Sequence, residues 1–481
     1  MEMLEHGMRA RVGLAVIFVL LAVLFGGRSA AAQELRTPPP RIEAAEEVFS
    51  EGLEAFDAGD YGRAFRLFRV VIDQYPFNRK TTAAWLMSGK ALYRNGAYER
   101  AAALLKTFVE KYPDSRYVAE AERTRRFALE ALAEARRGVI NLGIALPLDA
   151  QDAARTQALF NGIRLAVEEH NRTAGDAPLV RMVFRNTHND RRQAAEQVRA
   201  LAAEGVDVII GPLYSDEAVA AAGAAERARV ALVTPLATDE AVSAGRRYVF
   251  QANPTITRRG RMMARFAVNG LRIRDFGIIA ELNDSVGERM AEGFQDEALR
   301  LGATVQYFEL LPEARDWHRL PEVIGVDSLS EVGALYLPIP PDGVALADGV
   351  LSGLEHAGVT TRVLGGKTWH DLPITARASL FQVTYTNDFF VDHGRSEVQR
   401  FERRYRALSE APPNRLAFTG YDVARFLLRE RLAHPGDGFE KTLRQAPRYE
   451  GLGMRIHFNG SNVNEALFYH RYRDGKLQLL R

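Results

Sequence analysis

Seven positions near the N-terminus recur at a single spacing, and this constrains the fold more than any other feature of the chain. Gly52, Phe56, Gly59, Tyr61, Ala64, Tyr75 and Pro76 are matched by Gly89, Tyr93, Gly96, Tyr98, Ala101, Tyr112 and Pro113, each pair 37 residues apart. Small residues let paired helices approach, aromatic rings fill the gap between them, and a proline stops the second helix of each unit. Residues of about 42–116 are therefore expected to form helix–turn–helix repeats. The Ala-, Glu- and Arg-rich segment Tyr117–Arg136 suits a solvent-facing helix that caps them.

From Gly138 the period changes. Val139, Ile140, Leu142, Ile144 and Leu146 read as a buried strand, and Leu159, Phe160, Ile163, Ala166 and Val167 share one face of the helix that follows. The alternation continues with strand Leu179–Arg185, helix Arg191–Ala203, strand Val206–Ile210, helix Asp216–Ala228 and strand Val230–Thr234. It breaks at Phe250–Thr255 (FQANPT) and restarts with strand Phe276–Glu281, helix Val286–Arg300, and strands at Thr304–Phe308, Gly333–Leu337 and Arg362–Gly365. Strands alternating with helices of this length imply parallel sheets covered on both faces. Two such series joined by a short extended crossing imply two lobes.

The first 32 residues read as a secretory leader: Arg9 and Arg11, the apolar run Val12–Phe25, then Ala30-Ala31-Ala32 before Gln33. The run is shorter than the roughly 20 residues that span a bilayer. Glu2 and Glu5 are out of place in such a leader, and Met8 opens a more ordinary one. Residues 33–41, with Arg36–Pro40 (RTPPP), read as a stiff linker. The chain has no cysteine, so disulfides, thiolate metal sites and lipid attachment through an N-terminal cysteine are not expected. Lys plus Arg number 63 against 61 Asp plus Glu, which leaves no electrostatic footprint for nucleic acid.

Several separated motifs carry a resemblance. GIRLAVEEHN (162–171), RNTHND (185–190), VDVIIGPLYS (206–215), VTPLATDEAV (233–242), LNDSVGERMAEGF (282–294), RYRALSEAPPNRLAFTGYDVARFLL (404–428) and YEGLGMRIHFNGSN (449–462) resemble, in this order, the type I periplasmic binding fold and its branched-chain amino acid receptors. The resemblance covers about 138–481. It implies an α/β fold of two Rossmann-like, parallel-sheet lobes, the first of about 138–252 and 388–447, the second of about 253–387 and 448–481. The repeats of 42–137 resemble tetratricopeptide repeats, which serve as docking surfaces.

In open α/β sheets, ligands sit beyond the carboxyl ends of the strands. Those ends deliver Gly211–Ser215 and Leu236–Thr238, each ahead of a helix whose first N–H groups are unpaired. By resemblance, Ser215, Leu236 (through its backbone) and Thr238 contact ligand, with Tyr214 as a wall and Asp284 in the acidic loop of the second lobe. Ser215 and Thr238 also read as plain helix caps, since Asp216-Glu217 and Asp239-Glu240 follow them. Those four acids disfavour a bare anion unless their side chains turn away. Val286 stands where the amino acid receptors carry an aromatic residue, and Pro338–Asp342 lacks their small polar residues. An amine, amide or sugar ligand is therefore as compatible as a branched-chain amino acid. Within Gly365–Asp371, Trp369 reads as core, while Lys367 and His370 read equally as cleft or surface.

The GxxxxGK[ST], GxSxG and HExxH patterns are absent, no GxGxxG follows the first strand, and Gly451-Leu452-Gly453 precedes a strand rather than a helix. Together with the resemblance this argues for a non-enzyme with neither cofactor nor metal. The expected function is a periplasmic receptor for a small polar solute, serving a membrane transporter or sensor. The order of repeats then binding fold also resembles the lipoprotein activators of penicillin-binding proteins. That resemblance implies a regulator contacting a cell-wall synthase.

Overall fold

A computed structural model of the chain describes residues 39–148, 153–340, 343–372 and 375–480. These form two compact units, one ending at Arg136 and the other beginning at Arg137. The expected leader lies outside the described residues.

The first unit is all-helical: α1 (Glu43–Asp57), α2 (Tyr61–Gln74), α3 (Thr81–Arg94), α4 (Tyr98–Lys111) and α5 (Val118–Arg137). The 37-residue spacing has a packing cause. A Cβ on Gly52 would lie 2.6 Å from the ring of Phe68, and one on Gly89 would lie 2.3 Å from the Leu105 side chain, the same position one repeat later. Each glycine lets the two helices of its repeat close on each other. The ring pairs Phe56–Tyr61 and Tyr93–Tyr98, with centroids 5.2 and 5.7 Å apart, brace the two turns in the same way. Helix α5 buries Ala121 and Ala128.

The second unit contains two large sheets, one all-parallel and one parallel with two antiparallel strands added at one edge. One comprises β1 (Val139–Leu146), β2 (Leu179–Asn186), β3 (Val208–Ile210), β4 (Ala231–Thr234) and β5 (Val249–Gln251) in the order β2-β1-β3-β4-β5. Helices α6 (Ala153–Thr173), α7 (Arg191–Ala203) and α8 (Ser215–Ala228) connect these strands. After β5 come α9 (Ile256–Arg265), β6 (Asp275–Glu281), α10 (Ser285–Arg300), β7 (Thr304–Leu311) and the short helices α11 (Leu320–Val323) and α12 (Val326–Ser330). Then follow β8 (Ala334–Leu337), α13 (Val344–His356), β9 (Arg362–Gly365), α14 (Thr375–Leu380) and β10 (Thr384–Asn387). The chain returns to the first lobe through α15 (Ser396–Ser409), α16 (Arg415–Ala433), α17 (Phe439–Gln445), β11 (Tyr449–Glu450) and β12 (Arg455–Ile456). It ends in β13 (Phe468–Arg473) and β14 (Lys476–Leu480), which complete a second sheet of order β14-β13-β10-β9-β8-β6-β7.

One boundary differs from the sequence reading. Residues 448–458 belong to the first lobe, because Tyr449, Leu452, Met454, Ile456 and Phe458 pack in its core. The Asp422 carboxylate fixes this hairpin by accepting from the backbone N–H groups of Leu452, Gly453 and Met454 at 2.7–2.9 Å. The second lobe resumes at β13.

Three crossings join the lobes: 252–255, 388–395 and 459–467. The first and third are laced together. Gln251 N–H donates to the Asn462 carbonyl at 2.9 Å, and Asn464 N–H to the Gln251 carbonyl at 3.0 Å. The side-chain amides of Asn462 and Asn464 donate to the carbonyls of Val249 at 2.7 Å and Ala252 at 2.9 Å.

Candidate functional site

Both sheets aim the carboxyl ends of their parallel strands at one cleft, a cavity of about 430 Å³. The first lobe lines it with Leu213 and Tyr214 after β3, and with Leu236 and Thr238 after β4. The second contributes Val286 and Met290 from α10, Ile339 after β8, and Gly366, Lys367 and Thr368 after β9. The crossings add Asn253, Asp388 and Leu467.

Four of the six residues singled out in the sequence line this cavity: Tyr214, Leu236, Thr238 and Lys367. Tyr214 is the N-cap residue of α8, and its carbonyl accepts from Ala218 N–H at 2.9 Å. The Leu236 carbonyl accepts from the Asn253 side-chain amide at 3.1 Å. Thr238 N–H donates to Ser215 Oγ at 3.2 Å, and Asp239 N–H to the same oxygen at 3.4 Å.

Ser215 and Asp284 stand elsewhere. Ser215 is the first residue of α8 rather than its cap, and its hydroxyl ties the start of that helix to the loop after β4. It therefore acts on the cleft through Thr238 and is not part of the lining. Asp284 caps α10, accepting from Val286 N–H at 3.2 Å and Gly287 N–H at 2.9 Å, and is also outside the lining. Trp369 is fully buried, with its indole N–H donating to the Leu337 carbonyl at 3.0 Å. His370 pairs with the Tyr385 hydroxyl at 2.6 Å and lines a neighbouring, more open hollow.

The four acids that follow the ligand loops all point away from the lining. Asp216 is exposed, and Glu217 is buried against the body of the lobe. Asp239 caps the short turn at Glu240–Val242, accepting from Ala241 N–H at 2.8 Å. Glu240 accepts from Thr257 N–H at 3.2 Å and pairs with Arg289 at 3.1 Å. Burial opposes its ionisation, but the hydrogen bonds from Thr257 and the charge of Arg289 outweigh this and hold the carboxyl below the usual glutamate range.

Apart from Lys367, the charges that do face the cleft are not legible in the sequence. Asp388, whose side chain is 2% exposed, accepts from Arg259 at 2.7 Å and Arg415 at 2.8 Å through one oxygen, Oδ2. Burial alone would raise its pKa. The guanidiniums of Arg259 and Arg415 and the ammonium of Lys367 reverse that and keep it ionised, well below the usual aspartate range. Lys367 is pulled below the usual lysine value by burial and by the two arginines, against the attraction of Asp388. Among the described residues no group of three or more His, Cys, Asp or Glu side chains could hold a metal ion.

Comparison with known proteins agrees with this geometry. The chain is 25% identical over 232 residues to Leu/Ile/Val-binding protein homolog 3 of Brucella melitensis biotype 1, covering 47% of this chain and 61% of that relative. This chain thus spans about six-tenths of the length of the curated relative it matches. The fold is shared with a putative branched-chain amino acid ABC transporter protein from Rhodospirillum rubrum, with a TM-score of 0.57, 21% identity, and coverage of 71% of this chain and 100% of that one. It is shared also with an ABC transporter substrate-binding protein from Sphaerobacter thermophilus, with a TM-score of 0.52, 16% identity, and coverage of 71% and 96%. Residues 42–141 match the outer membrane lipoprotein family YfiO. Residues 139–469 match the periplasmic binding protein family, a family of binding proteins rather than enzymes, and the chain belongs to it.

Proposed function

We propose that this protein is an exported receptor that closes its two lobes on a small polar organic solute and presents the closed form to a membrane transporter or sensor. The observation that carries this reading is the 430 Å³ cavity at the strand ends of both sheets, which the protein's own side chains leave open. Tyr214, Leu236, Thr238 and Lys367 are its contact residues. Lobes joined by short crossings move as hinged bodies around a ligand. No helix among the described residues is long and apolar enough to cross a membrane, in keeping with a receptor that works beside one. The helical repeats supply a protein-docking surface.

A thermal-shift screen over amino acids, organic acids, amides, sugars and peptidoglycan fragments tests the proposal. A solute at 100 times its Kd stabilises the fold by about 2.7 kcal/mol. The repeat unit favours a second reading, regulation of cell-wall synthesis, because docking is its simplest use. Capture of a cell-wall synthase by the full chain, with no response to any solute, would decide for that regulator.

A further inference from the structure

The charge of the cleft restricts what it can hold. Among the described residues its lining carries Arg259, Lys367 and Arg415, besides an Arg155 that has a partner of its own, against the single carboxylate of Asp388. That carboxylate is already committed, because Oδ2 accepts from both Arg259 and Arg415. Its other oxygen, Oδ1, is closed off from solvent and has no hydrogen-bond partner. The four acids beside the ligand loops lie outside the lining. The described lining therefore offers a ligand the ammonium of Lys367, with the guanidiniums of Arg259 and Arg415 beside it, and no accessible carboxylate.

An amino acid brings an ammonium as well as a carboxylate. In this cleft its ammonium would lie among like charges and find, among the described lining residues, no exposed acid to pair with, a repulsive element that selects against it. A carboxylate without that ammonium meets charge-assisted hydrogen bonds from the lysine and the guanidiniums. Leu213, Ile256, Met290 and Leu467 offer apolar wall for the rest of the molecule.

We infer that the cleft takes an organic anion with no ammonium group, one or two carboxylates on a partly apolar body. This rests on the receptor reading above and narrows it. Lys367 is the specificity-determining residue. It is exposed to the cleft and makes no ion pair among the described residues, whereas Arg259 and Arg415 are held by Asp388.

The experiment is calorimetric titration of the full-length protein with three matched pairs, 4-methylpentanoate and leucine, 3-phenylpropanoate and phenylalanine, glutarate and glutamate, and with the amides and sugars of the thermal-shift screen. In at least one pair the acid lacking the amino group should bind ten times or more tightly than its amino acid. Lys367→Met should weaken that acid at least tenfold with the melting temperature unchanged. Equal or tighter binding of the amino acids, or binding confined to amides or sugars, overturns the anion assignment and leaves the receptor standing. No binding by any of these solutes overturns both.

Discussion

The two lobes of the receptor unit are built alike and furnished differently. Both use the same parallel order, β2-β1-β3-β4-β5 in one and β7-β6-β8-β9-β10 in the other. Both cross a pair of helices at glycine: Gly162 of α6 against Gly420 of α16, and Gly260 of α9 against Gly293 of α10. Yet the strand-end loops of the first lobe bring Tyr214, Leu236 and Thr238 to the cleft and those of the second bring Lys367, while arginines come from helices of both, Arg155 and Arg415 from the first and Arg259 from the second. The shared frame is fixed by backbone packing, which tolerates little change. The strand-end loops carry no such constraint, and there the lobes diverge.

The largest effect should come from the shared frame. A Cβ at Gly162 or Gly260 would stand 2.0 Å from a backbone carbonyl oxygen, of Ala417 or Met290. Gly162→Val and Gly260→Val should each cost about 3 kcal/mol in urea denaturation. If only one of them does, the lobes are not equivalent at this crossing. Asp388→Asn should cost up to about 3 kcal/mol, because it strands two guanidiniums around a buried site. It should also leave the affinity for the organic acids intact or tighter, which separates its structural role from ligand contact.

An effect of similar size, reached only at low pH, should belong to the second lobe. His470 on β13 is fully buried, stacked on Tyr385 with ring centroids 5.3 Å apart, and burial lowers its pKa to about 4. A base whose folded pKa lies below its unfolded value of 6.5 contributes stability fully above pH 6.5, lost as the pH falls towards 4. The loss reaches about 3 kcal/mol once the pH is below the folded value. His470→Phe should flatten it, monitored in a Trp85→Phe background where Trp317 and Trp369, both in the second lobe, are the only tryptophans. Smallest is Ser215→Ala, with a cost of about 1 kcal/mol. It should weaken ligand binding only through the loop that carries Thr238.

Much of this frame is legible in the sequence because it is local. The 37-residue offset, the apolar strand over 139–146 and the helices after each ligand loop all announce themselves within short windows. The strands that complete the second sheet do not. Thr384–Asn387 is too short to show alternation, and Phe468–Arg473 buries a histidine where a polar residue reads as surface. The charged cleft was hidden for another reason. Asp388 meets Arg259 from 129 positions away and Arg415 from 27, distances no motif spans. The acids at 216, 217, 239 and 240 show the opposite failure. Their sequence neighbours place them beside the site, but only the fold reveals that they face away from it.

The lacing of Asn462 and Asn464 onto Val249 and Ala252 bears on how such a molecule can open. Three independent tethers would let one half wobble and slide over the other. Two of them stitched into a single ribbon act as one pin, leaving the strand through Asp388 to complete the axle. Motion about a fixed axis returns the cationic groups to the same places at every closure, which lets so few side chains discriminate between cargoes.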